Sequence, residues 1–152
     1  MILRQARHED MPEIMEIERS CFSVPWSEEG MLSELEGRYG LITVCTIDGK
    51  VAGFSVFHRF GDEGELFNIA VSEEYRRRGI AKRLMERLFE DAKRFEVERI
   101  FLEVRKSNVA ARELYRSCGF SVCGERKNYY DAPREDAVLM DAEVKAPKEV
   151  TE

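Results

Sequence analysis

Apolar residues along the chain recur at two spacings, and each switch from one to the other marks an element. Over residues 8–21, Met11, Ile14, Met15, Ile17 and Cys21 fall at helical steps with acids between them, which predicts a helix with one buried face. Pro25 and Trp26 interrupt it. Ser27 then occupies an N-cap position, Glu28 and Glu29 fill a first turn, and Met31, Leu32 and Leu35 form a second stripe that Gly37 and Gly40 end. Residues 41–47 and 51–60 are runs of β-branched and aromatic side chains on either side of Asp48-Gly49. That arrangement predicts a tight hairpin, because glycine accepts the positive φ the turn requires. A turn around residues 61–64 leads to a third central strand over 65–71. Ile80, Leu84, Leu88, Ala92 and Phe95 carry one apolar face along a helix over residues 79–95. Residues 99–105 read as a strand, and Ser107 and Asn108 offer a cap to a helix through Leu114 and Tyr115 that Gly119 ends. Strands at about 120–126 and 136–144 complete the series.

The order is helix, helix, three strands, helix, strand, helix, two strands. Hairpins combined with two strand–helix–strand crossovers predict the α/β class in its mixed, α+β form: a central, mostly antiparallel sheet with helices on both faces. The 152 residues suit one domain, expected over residues 1–144, with a charged, Pro147-containing tail over 145–152 expected to fray. No apolar run approaches the ~20 residues that cross a bilayer. The first residues meet charge at once and lack an apolar signal core. The expectation is a soluble cytoplasmic protein with no membrane partner.

Thirty acids against 24 bases give a net charge of −6, which disfavours sequence-independent DNA binding, since that needs a surplus of Lys and Arg. Cys21, Cys45, Cys118 and Cys123 include no CxxC pair, and reduced, mostly buried thiols are expected. His8 and His58 have no second ligand at metal spacing, so no metal is expected. The sequence leaves the oligomeric state open.

The most informative stretch is Asn68-Ile-Ala-Val71 followed by Arg76-Arg-Arg-Gly79-Ile-Ala-Lys82. A strand delivers the chain to a basic, Gly-containing turn that opens directly into a helix. Unpartnered amides and the helix dipole at such a junction receive a phosphate or pyrophosphate, with Gly79 permitting close approach. Neither GxxxxGK[ST] nor GxGxxG is present. The alternative is a solvated basic run, although three arginines at a helix start oppose its dipole unless an anion is bound.

Arg76-x-x-Gly79-x-Ala81 after a hydrophobic strand resembles the (Q/R)xxGx(G/A) acetyl-coenzyme A signature of the GCN5-related N-acetyltransferase (GNAT) superfamily, and the order of elements is similar over about residues 2–144. Ala81 stands where a second glycine is common. Further segments resemble one branch, the RimI-type acetyltransferases of a ribosomal protein's N-terminal alanine. They are Phe22-Ser-Val-Pro-Trp26-Ser, Leu66-Phe-Asn-Ile-Ala-Val71, Leu102-Glu-Val-Arg-x-Ser-Asn108, Ala110-Ala111-x-x-Leu114-Tyr115, Gly119-Phe120, Asn128-Tyr-Tyr130 and Arg134-Glu-Asp-Ala137.

The resemblance implies an acyl-coenzyme A N-acyltransferase fold and acetyl transfer from acetyl-coenzyme A to an N-terminal amine, without a metal. It implies that backbone groups of Ile69, Ala70 and Val71 hold the pantetheine arm and thioester carbonyl. The amides of Arg77, Arg78, Gly79, Ile80, Ala81 and Lys82 would cradle the pyrophosphate, and Asn108 would bond the pantetheine region. Glu103 would be the base and Tyr115 the acid toward the departing thiolate. From the residues alone, Glu103 is equally a polar strand residue or a partner for Arg105, and Tyr115 a core tyrosine. Phe22, Trp26, Tyr129 and Tyr130 either line an entrance for the N-terminal peptide of a protein substrate or seal loops onto the core. Two other functions fit the sequence: the same cofactor used on a small amine, and a non-catalytic acyl-coenzyme A-binding module.

Overall fold

The local signals form where the chain carries them. The Ser27 hydroxyl oxygen accepts from the Gly30 amide at 3.1 Å and the Asn108 side-chain oxygen from the Ala111 amide at 3.2 Å. Asp48 and Gly49 take φ values of 51° and 78°, the left-handed pair that reverses a hairpin. In the computed structural model, which describes residues 1–145, the elements are β1 (Ile2–Gln5), α1 (Met11–Cys21), α2 (Glu28–Glu36), β2 (Gly40–Ile47), β3 (Lys50–Phe60), β4 (Glu63–Val71), α3 (Ile80–Arg94), β5 (Arg99–Arg105), α4 (Val109–Ser117), β6 (Ser121–Tyr130) and β7 (Glu135–Glu143). Short 3-10 turns at His8–Asp10 and Glu73–Tyr75 precede α1 and α3. The expected tail over 145–152 falls, from residue 146 on, outside the described residues.

The seven strands form one sheet in the order β1-β2-β3-β4-β5-β7-β6. Only β4 and β5 pair in parallel; every other neighbour is antiparallel. Ile14, Met15 and Ile17 of α1 and Met31 of α2 pack with Ile42, Val44, Phe54 and Val56 on one face. Met85, Leu88 and Ala92 of α3 and Tyr115 of α4 pack with Leu66, Ile100, Leu102, Val138 and Met140 on the other. Mixed sheet and two-sided helical cover are as the element order predicts.

The strand β1 was not expected from the sequence. It is a four-residue edge strand with Ile2 63% exposed, too short to show an alternation. Tertiary contacts hold it: it pairs with β2, and the Arg4 guanidinium donates to both oxygens of Asp10 at 2.7 and 2.9 Å. The strand β6 runs on to Tyr130 rather than ending near residue 126, so the two tyrosines sit at a strand end and not in a loop. The cysteines are all free, but only Cys45 is fully buried. Cys123 is exposed because β6 is an outer strand of the sheet, which corrects the expectation of mostly buried thiols.

Two irregularities in β4 shape the centre of the sheet. Val56 lies opposite Asn68 but Phe57 opposite Leu66, so Phe67 is an extra, bulged residue. The bulge turns Phe67 and Asn68 to the same face, where Phe67 packs against the α1/α2 core and the Asn68 amide donates to Glu18 Oε1. Pairing of β4 with β5 also stops early, running from Glu63 opposite Arg99 to Leu66 opposite Leu102. Beyond that point the two strands part.

Glu18 has no exposed surface, and its Oε2 has no partner among the described residues. Burial pushes its carboxyl from 4.5 up to about 6, against the lowering effect of the Asn68 hydrogen bond. An acid whose folded value exceeds its unfolded one takes up a proton on folding. Glu18 therefore favours the fold below about pH 4.5 and loses that contribution as pH rises through about 6. Glu18→Gln keeps an acceptor for Asn68 and removes the buried charge. Urea unfolding is expected to show the variant about 1–2 kcal/mol more stable than wild type at pH 8 and level with it at pH 4.5. Parallel pH profiles for the two proteins would contradict this account of Glu18.

Candidate active site

The parting of β4 from β5 opens a cleft of about 880 Å³. Its walls are the second half of β4, the end of β5, the α1–α2 loop, the start of α4 and the end of β6. Ser72 donates its amide to the Ala52 carbonyl across β3 at 2.8 Å. Strand alternation therefore turns the polar groups of Ala70 toward β3 and those of Ile69 and Val71 into the gap. Of the three expected backbone contributors, Ile69 and Val71 face the opening.

At one end the cleft reaches Ala81 in the first turn of α3. The helix begins at Gly79, which has φ of 75° and provides no side-chain cap, and Arg77 shares the left-handed region at 65°. Among the described residues the first amide to close a helical bond is that of Arg83, to the Gly79 carbonyl at 3.1 Å; the amides of residues 77–82 donate to no acceptor. A Cβ built on Gly79 would meet nothing within 4 Å, so the space in front of this turn is open. No acid lies in the first turn of α3, Arg78 stacks over the Tyr75 ring at 5.3 Å, and Arg76 reaches back to the Val71 carbonyl at 3.3 Å. Free amide donors, a helix start and nearby guanidinium groups are together of a chemistry that suits a multiply charged anion. Ile80 contributes its amide only, since its side chain is buried.

Glu103 and Tyr115 line the same cleft from opposite faces of the sheet. In β5, Ile100, Leu102 and Val104 enter the core, which turns Glu103 and Arg105 to the other side. The Glu103 side chain is 18% exposed and lies 3.4 Å from Arg126 of β6. Arg105 does not pair with it; Arg105 pairs instead with Glu135 at 3.4 Å. The Glu103 carboxylate also receives the Tyr129 hydroxyl, which with partial burial pushes Tyr129 up to about 12. Burial and the charge of Glu103 push Tyr130 up to about 12 and raise Glu65 above the usual carboxylate range. Tyr115 is buried in the α3/α4 core against Phe120, and burial raises its phenol well above 10. It is thus both a core tyrosine and a cleft residue. Asn108 is exposed at the cleft with its oxygen used as the α4 cap, leaving its amide nitrogen as a free donor.

The four aromatic residues from the sequence stand in two groups. Phe22 and Trp26, half-buried, come from the α1–α2 loop, with Trp26 5.7 Å from Phe67. Tyr129 and Tyr130 come from the end of β6, 5.0 Å apart and edge to face. All four line the cleft. Arg77, Arg78, Gly79 and Lys82 are not in its walls and join it only through the amide turn beside Ala81. The sequence reading missed Glu18, Cys21, Glu65 and Asn68. Glu18 left a signal, a charge on the same helical stripe as Ile14 and Met15; Asn68 stood in the stretch the sequence singled out but gained a role only through its bond to Glu18, and nothing local marks Glu65. Among the described residues no three or more His, Cys, Asp or Glu side chains are grouped to hold a metal, and no helix is long and apolar enough to cross a membrane.

The family model of the acetyltransferase (GNAT) family matches residues 11–120, from the start of α1 to the end of α4 and beyond. The chain belongs to that family. The [ribosomal protein bS18]-alanine N-acetyltransferase of Escherichia coli strain K12 is 41% identical over 133 residues, covering 86% of this chain and 89% of its own length. The enzyme of that name from Haemophilus influenzae is 37% identical over 142 residues, 91% of this chain and 96% of its own. The crystal structure of the ribosomal-protein-S18-alanine N-acetyltransferase from Escherichia coli superposes with a TM-score of 0.90 at 35% identity, covering 99% of this chain and 98% of that one. Acetyltransferases of this family use acetyl-coenzyme A. The open amide turn of this GNAT enzyme is of a chemistry that fits a pyrophosphate.

Removing the Glu103 charge by Glu103→Gln is expected to let Tyr129 fall from about 12 toward its ordinary 10, because the phenolate no longer faces an anion. Carbon-13 NMR titration of labelled tyrosines reads this directly, and an unchanged Tyr129 would show that the two groups are not coupled.

Proposed function

We propose that this acetyltransferase carries acetyl from acetyl-coenzyme A to the N-terminal amine of a ribosomal protein, with alanine as the first residue, by direct attack within a ternary complex. The observation that carries the reading is the run of amides over residues 77–82 without acceptors, at the end of a cleft that also holds Glu103 and Tyr115. The names of relatives 37–41% identical over most of their length supply the substrate. The acidic chain also favours a basic partner.

The amides of Arg77, Arg78, Gly79, Ile80, Ala81 and Lys82 hold the pyrophosphate. Ile69 and Val71 offer backbone groups to the pantetheine arm on either side of Ala70, and Asn108 donates its free amide from the facing crossover. Acetyl-coenzyme A supplies an activated acetyl thioester. An amide of β4 aimed at the thioester oxygen stabilises charge that develops there. Glu103 accepts, through a water, the proton that the N-terminal ammonium must lose before its nitrogen attacks. Tyr115 carries its proton at neutral pH, as a phenol does, and it delivers that proton to the departing thiolate, recovering one from solvent. Phe22 and Trp26 on one side, Tyr129 and Tyr130 on the other, grip an extended peptide by ring contact and polar edges. The setting is the cytoplasm, where ribosomal proteins are made.

A panel of hexapeptides differing at the first two residues, with spermidine beside them, tests the substrate class. Acetylation of Ala-first peptides is expected, and acetylation of spermidine but no peptide would overturn the reading. Glu103→Gln and Tyr115→Phe are each expected to lower turnover at least about tenfold, about 1.4 kcal/mol of transition-state stabilisation, with acetyl-coenzyme A affinity unchanged. Equal turnover in all three proteins would remove both residues from the chemistry. Gly79→Val, placed at φ of 75°, is expected to weaken acetyl-coenzyme A binding, read by calorimetry, since a β-branched residue strains that turn.

A further inference from the structure

Arg105, two residues beyond Glu103 on the same face of β5, touches both walls of the peptide side of the cleft. Its Nη1 donates to the Pro133 carbonyl at 2.8 Å and to Glu135 Oε1 at 3.4 Å. Its Nη2 donates to the Asp131 carbonyl at 2.7 Å and, across the mouth, to the Ser23 hydroxyl at 3.3 Å. The guanidinium also lies over the Tyr130 ring, 4.6 Å from its centre. Asp131 and Pro133 belong to the turn between β6 and β7, and Ser23 to the α1–α2 loop that carries Phe22 and Trp26. Glu135 is itself fixed, its other oxygen accepting from the Ser107 amide at 2.8 Å. The side chain is largely enclosed, at 23% exposure.

We infer that Arg105 is the positioning residue of the peptide entrance: it sets the distance between the Phe22/Trp26 wall and the Tyr129/Tyr130 wall, and so fixes the seat of an incoming chain end. The inference rests on the N-terminal acetylation reading of this cleft. A planar fork is what the position needs, because two nitrogens spread over two carbonyls, a carboxylate and a hydroxyl while the flat face stacks on a ring. Lysine offers one compact ammonium and no such face. Arg105 does not meet the reacting atoms, so its loss leaves the chemistry at Glu103 and Tyr115 in place and loosens only the grip on the peptide.

The test compares wild type and Arg105→Lys on an Ala-first hexapeptide and on alanine amide, which acquires its acetyl group without filling the entrance. Arg105→Lys is expected to raise KM for the hexapeptide at least about tenfold, while kcat, alanine amide turnover and acetyl-coenzyme A affinity stay within about twofold. Unchanged hexapeptide KM, or an equal loss on both substrates, overturns the inference and leaves the acetylation reading standing. Should Arg105→Lys not fold, Ser23→Ala decides, since it removes only the bond across the mouth. A hexapeptide KM raised severalfold, with alanine amide turnover kept, supports the inference, and an unchanged KM overturns it. Wild type that acetylates neither substrate overturns the acetylation reading and the inference together.

Discussion

Two parallel strands that pair over the first residues of β4 and β5 and then separate impose the arrangement of everything around them. Past Leu66 and Leu102 the backbone groups on the facing edges have lost their natural partners. Such groups are costly to hide unpaired, so the gap stays open to solvent and available to a ligand that supplies the missing bonds. The Phe67 bulge accompanies this separation. It places Phe67 and Asn68 on one face, anchors them to α1, and turns Ile69 and Val71 toward the gap. The cleft is therefore a feature of strand register, with side chains arranged around it.

The same separation distributes the chemistry between two very different environments. On the α3/α4 side, Tyr115 is packed in the main apolar core with Phe120, Leu66 and Leu102, and that burial raises its phenol above the ordinary value. On the other face the carboxylates Glu65 and Glu103 meet Arg126 and the tyrosines of β6. A carboxylate and a phenol thus line one cleft from two different surroundings, one beside charged and polar partners and the other enclosed in apolar core. Glu18, sealed beneath the bulge, belongs to the support of β4.

Much of this was legible in the residues. Ser27 and Asn108 act as caps, Asp48-Gly49 makes its hairpin, and the apolar stripes of α1 and α3 bury the residues their periodicity marks. The turn over residues 77–82 was legible for the same reason: a strand, a basic Gly-containing turn and a helix start are consecutive in sequence, and the free amides follow from local backbone geometry alone. What escaped was whatever depends on distant partners. The strand β1 exists because β2 and Asp10 hold it, and Arg126 of β6 meets Glu103 of β5 across the intervening strand β7. Arg105 bridges to Ser23 from 82 positions away.

The sequence by itself determined every element but β1, and the basic, Gly-containing start of α3, because each is written in neighbouring residues through periodicity, capping and turn chemistry; the resemblance to an acetyltransferase family lay in the motif at that same helix start. Only the tertiary structure decided where β4 and β5 part, which face each β4 residue presents, and which charges meet in the cleft. A single bulged residue resets the two-residue alternation of a strand, and strand pairing brings together side chains that no local spacing connects.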